Sequence, residues 1–124
     1  MSHIARLDGI RDLLRSYAGI SKSAVRDAKY AERYVAPAGM PIVLDPIGKR
    51  HTNIWVRANS LSIAELTDLN STFHPNASEG KLKPNHDLYT DPLLRKVDLI
   101  CFKVTTVSDA RRIVDAIVRA GVAP

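Results

Sequence analysis

The chain predicts a single α+β domain over residues 1–124. It would hold an N-terminal helix pair, a small sheet of about three or more strands (41–45, 53–57, 96–105) and a C-terminal amphipathic helix packed on that sheet. Three observations lead there. Apolar residues recur at helical spacing near both ends, β-branched and aromatic residues cluster between them, and glycine or proline marks the changes of pattern.

In residues 4–18, Ile4, Leu7, Ile10, Leu14 and Tyr17 form an apolar stripe, while Arg6, Asp8, Arg11, Asp12 and Arg15 occupy other faces. Gly19 suits the left-handed turn that ends many helices. Ser21 or Ser23 then serves as the N-cap of a second helix reaching about Val35, with Ala24, Val25, Ala28, Ala31 and Val35 inward. Pro37, Gly39 and Pro41 close a helical subregion, 1–36.

Two short strands, 41–45 and 53–57, flank the connection "PIGKRHT" and read as a hairpin with a longer loop. Ser62 and Glu65 have the spacing of a capping box, so a short helix through Leu69 is expected. Residues 70–92 hold three prolines, three asparagines and one glycine without a sustained period, and read as a long irregular loop. The run "KVDLICFKVT" at 96–105 is apolar enough for a central strand. After it, Val107, Ala110, Ile113, Val114, Ile117 and Val118 line one face of a helix that Gly121 stops.

A chain of 124 residues, 45% apolar and 25% charged, fits one globular domain and not a disordered protein. No apolar run approaches the roughly 20 residues that cross a bilayer, and the charged N-terminus does not resemble a secretory signal. A lone cysteine, Cys101, rules out an intramolecular disulfide and a cysteine-based zinc cluster. A cytoplasmic protein without membrane association is therefore expected.

Signs of catalysis are missing from the sequence. His51, His74 and His86, with Asp87 and Asp91, are the densest titratable set, yet no two histidines have the spacing of a metal site. The glycines are too scattered for a phosphate-cradling loop, and no serine stands in a nucleophile elbow. The expectation is a protein that is not an enzyme, with no cofactor, no catalytic residues and no metal.

The net charge of +5 points mildly toward polyanions, and the charge is unevenly spread. Residues 1–35 hold seven Lys or Arg against four acids, whereas 61–92 hold five acids against two lysines. Leu14, Ala18, Gly19, Ile20, Val25 and Ala28 fall at helix-turn-helix intervals, although Arg15 stands where a small residue is usual and one helix of the customary three is missing. On the second helix, Lys22, Ser23, Arg26 and Lys29 would face a DNA groove or its phosphates, with Arg33 further along. Lys49 and Arg50 at the hairpin tip extend that surface, and a basic hairpin beside such a helix pair resembles the wing of winged-helix DNA binders.

The leading expectation is a small basic protein binding nucleic acid, double-stranded DNA in the first place, through this helix-turn-helix-like pair. The competing one is a non-enzymatic protein-interaction module, an accessory subunit, inhibitor or adaptor, whose partner sees Trp55, the helices or the acidic 61–92 region. A homodimer through the terminal helix is compatible with either.

Overall fold

The computed structural model describes residues 2–75, 87–88 and 91–122. Helix α1 spans His3–Ser16, followed by strands β1 (Ser21–Lys22), β2 (Glu32–Val35), β3 (Pro41–Asp45), β4 (Thr52–Arg57), β5 (Ser71–His74) and β6 (Leu99–Val104), and by helix α2 (Val107–Val122). The strands form one six-stranded antiparallel sheet in the order β1-β2-β3-β4-β6-β5. The fold is α+β, with one helix at each end of the chain.

The expected N-terminal helix pair is replaced by a helix and two strands. Helix α1 forms as its pattern requires: Ser2 caps it by accepting from the Ala5 N–H, and Ile10, Leu13 and Leu14 are buried. Past Gly19 (φ +92°) the chain turns into the sheet. Polar side chains between β1 and β2 take the backbone donors that a helix would have used. Ser23 Oγ accepts from the Val25 N–H at 3.0 Å, and Asp27 Oδ1 accepts from the Arg33 N–H at 2.8 Å. Glu32, Arg33, Tyr34 and Val35 then pair with Leu44, Val43, Ile42 and Pro41. The regular alanine spacing is not a buried stripe, since Ala24 is exposed while Ala31 is buried.

Alternation along the strands makes two different faces. Tyr34, Ile42, Leu44, Ile54, Val56, Ile100, Phe102 and Val104 point to one side, where Ile10 and Leu14 of α1 and Ile113, Val114 and Ile117 of α2 complete the main core. Burying one such side chain contributes about 1.5–3 kcal/mol. The helices run in the same direction: Gly9 lies against Val107, and eight residues later the Tyr17 hydroxyl donates to Asp115. A Cβ on Gly9 would stand 2.6 Å from Val107 Cγ2, so glycine permits this close approach.

The opposite face carries Arg33, Val43, Asn53, Trp55, Arg57, Leu99, Cys101 and Lys103. Leu88 and Leu94 cover its middle, building a second apolar cluster with Ala31, Val43, Trp55, Leu99 and Cys101. Strand β5 falls within the stretch expected to be an irregular loop at 70–92, whose residues 76–86 and 89–90 lie outside those described. Its pairing with β6 makes β6 an interior strand, between β4 and β5. Among the described residues, no helix is long and apolar enough to cross a membrane.

Candidate functional site

The residues expected to read nucleic acid are not gathered on one helical face. Lys22 sits in β1, its Nζ 2.7 Å from Asp27 Oδ1 and 4.6 Å from the centre of the Tyr34 ring. Ser23 spends its hydroxyl oxygen on the Val25 amide. Arg26 and Lys29 are exposed on the connection between β1 and β2, where Lys29 lies over the ring of Tyr30. Arg33 is 1% exposed on the opposite sheet face and donates to the Arg26 and Asp87 carbonyls. Lys49 and Arg50 are exposed between β3 and β4, and the Lys49 carbonyl accepts from buried Arg6. A single N-terminal helix stands in place of the expected helix-turn-helix pair, and the described residues give no evidence of a basic nucleic-acid-binding surface, which overturns the nucleic-acid reading.

What the sheet does assemble is a groove on the face away from the helices. Register places Trp55, Cys101 and Thr72 in one row across β4, β6 and β5. With Asn53, His74 and Lys103 they line an open cavity of about 240 Å³. Trp55 is 3% exposed, and its ring lies 5.0 Å from that of His74 at an interplanar angle of 47°. The Trp55 indole N–H and the Asn53 carboxamide oxygen are both buried without a hydrogen-bond partner. A buried polar atom left unpaired costs about 1–3 kcal/mol, so two at neighbouring same-face positions of β4 are a notable concentration.

The electrostatics of the groove argue against a nucleophile. Burial pushes the Cys101 thiol up to about 12, against a small downward pull from Lys103, so it remains protonated and inert. Burial first, and then the nearby Lys103 charge, hold His74 below the ordinary histidine value. The folded protein therefore favours neutral His74, while the unfolded chain takes up its proton at higher pH. The resulting stability is fully present above the ordinary value near pH 6.5 and is lost as pH falls through the lower folded value. Urea unfolding at about pH 7.5 and pH 5 should show lower stability in acid, with a smaller loss in His74→Gln.

At the other end of Lys103, a second cleft of about 430 Å³ is bordered by Arg50, His51, Asp68, Asn70, Thr105 and Asp109. Its charges are partly spent within the fold, as Arg112 holds Asp68 at 2.7 Å. Among the described residues, no three His, Cys, Asp or Glu side chains stand together as a metal site. His86 lies outside those residues.

The edge of the sheet completes the site. The Lys103 N–H donates to the Asn70 carbonyl at 2.9 Å, which fixes the phase of the β5–β6 ladder. Thr72 and His74 consequently turn their backbone groups toward β6, and Ser71 and Phe73 turn theirs outward. Among the described residues no strand pairs with that outer edge. Phe73 is 55% exposed on the helix side of the sheet, while Thr72 and His74 face the groove.

Sequence reasoning missed β5 because four residues are too few for period-two alternation to stand out from a polar loop. The available signal was Thr72-Phe73, two good strand formers with no glycine or proline between Ser71 and His74. Period-two alternation in 53–57 puts Trp55 on the face of Asn53 and Arg57, but its unpaired N–H is a tertiary fact. Fold and site together define an antiparallel sheet roofed by helices on one face and grooved on the other. No protein-family model matches the chain, and no curated protein and no solved structure matches it.

Proposed function

We propose that this protein is a non-enzymatic interaction module that accepts an extended segment of a partner protein along β5. The observation that carries this reading is the outward-facing backbone of Ser71 and Phe73 on an edge with no strand partner among the described residues. Exposed edges commonly carry lysine, proline or a bulge that discourages pairing. The segment Ser-Thr-Phe-His has neither lysine nor proline. An added strand would gain main-chain hydrogen bonds from Ser71 and Phe73, and its alternate side chains would meet Phe73 on one face and Thr72 and His74 on the other. The inert Cys101 thiol supports a binding role for the groove over a nucleophilic one. A cytoplasmic setting suits a lone buried cysteine.

Random-peptide display on the immobilised protein tests the proposal. Selected peptides should alternate apolar and polar residues. Phe73→Pro should weaken them about tenfold or more, because it removes an outward donor and the aromatic contact while sparing the β5–β6 ladder. Phe73→Ala, which keeps the donor, should lose less. Absence of enrichment, or peptides that bind Phe73→Pro as tightly as the parent, would sink this reading.

A further inference from the structure

We infer that the extended segment accepted along β5 carries a glutamate three residues after an apolar residue, the apolar side chain lying against Phe73 and the carboxylate meeting Lys103. This rests on the strand-addition reading above and names the chemistry of the partner that the edge selects.

Register fixes where each side chain of an added strand would point. Asn70, Thr72 and His74 turn their backbone groups toward β6 and their side chains toward the groove face, while Ser71 and Phe73 do the opposite. Every neighbouring pair in the sheet is antiparallel, so a strand that continues the pattern runs from His74 toward Asn70. Its residue opposite Phe73 falls on the helix side. The residue three further on falls opposite Asn70, on the groove side.

Lys103 supplies the charge at that end. Its N–H donates to the Asn70 carbonyl, and it borders both the Trp55 cavity and the neighbouring cleft. Among the described residues its side chain makes no ion pair or hydrogen bond, and its ammonium group stays in contact with solvent. Its charge acts on His74, one strand over, as well as on Cys101 of its own strand, so the ammonium group leans toward β5. An added strand lies two strand spacings from β6, about 9–10 Å, which a lysine stem and a glutamate side chain close together. Aspartate is one methylene shorter. Of the two acids bordering the same cleft, Asp68 is held at both oxygens by Arg112, and Asp109 lies close enough to Arg112 to feel its charge. Arg50 adds a further cation there, so the local balance favours an incoming carboxylate.

Peptide display on the parent and on Lys103→Glu tests the inference, with Phe73→Pro reporting whether the strand site is used. Peptides selected on the parent, and lost on Phe73→Pro, should carry Glu three residues after an aromatic or aliphatic residue. Those selected on Lys103→Glu should carry Lys or Arg there instead. Within a selected peptide, Glu→Gln should weaken binding to the parent about three- to tenfold, with Glu→Asp in between. The same exchange should change binding to Lys103→Gln by less than about twofold. Because the peptide is altered on the parent protein, that reading does not depend on how a variant folds. Phe73-dependent peptides without an acid at that position, or a Glu→Gln loss that persists in Lys103→Gln, would overturn this inference and leave strand addition standing. No enrichment on the parent would remove both.

Discussion

Arg33→Ala should lower unfolding stability by about 3 kcal/mol and the Tm by roughly 10–15 °C. Arg33 is 1% exposed in β2, on the sheet face opposite both helices. Its Nε donates to the Arg26 carbonyl at 3.0 Å, and its Nη2 donates to the Asp87 carbonyl. One guanidinium thereby ties β2 to the turn before it and to the segment that carries Leu88 across the sheet. The Tyr30 N–H reinforces the same junction by donating to Asp87 Oδ2 at 2.8 Å. Truncation removes two charge-assisted hydrogen bonds and leaves the Arg26 and Asp87 carbonyls without this donor. Lysine should not restore the loss, because a compact ammonium group does not reproduce the planar fork that reaches both carbonyls. Urea unfolding of the parent, Arg33→Ala and Arg33→Lys measures the effect. A parent-like midpoint in Arg33→Ala would show that the second layer is held by its apolar contacts alone.

Phe102→Ala should be at least as damaging, costing about 3–5 kcal/mol, whereas Phe73→Ala should stay within about 0.5 kcal/mol. These are the two phenylalanines of the chain, and both point to the helix side of the sheet. Phe102 is fully buried in the interior strand β6 and is part of the core beneath α1 and α2. Its removal leaves a cavity that six-stranded pairing and two packed helices cannot easily collapse. Phe73 sits one strand further out and is 55% exposed, so alanine there changes the surface available to a partner more than the fold. Denaturant titrations of both variants provide the comparison. Equal losses would place Phe73 in the core and remove the apolar contact assigned to it in strand addition.

The strand pattern at 41–45 and the helix pattern at 107–122 are legible because each repeats long enough to show its period, and local preference agrees with burial there. In residues 21–35 those levels disagree. Their spacing resembles an amphipathic helix, but Ser23 and Asp27 capture backbone donors locally and Tyr34 and Val35 pair across to β3. A 3.6-residue pattern made mainly of alanines has little apolar area to impose on the chain. Pairing with a strand rich in Ile, Val and Leu outweighs it. The same change removes the basic stripe, since Arg33 becomes interior and Lys22 turns to Asp27.

By itself the sequence determined an α+β chain with an amphipathic helix at each end, strand-forming runs between them and a lone cysteine inside an apolar one. These features depend on neighbours a few residues apart. Tertiary structure decided that residues 32–35 join the sheet, that Ser71–His74 becomes its edge, and that Asn53, Trp55, Thr72, His74 and Lys103 meet around one cavity. The physical reason is long-range pairing: β5 reaches β6 across the 24 residues between His74 and Leu99, and only the finished ladder establishes which backbone groups face outward and which polar atoms remain unpaired.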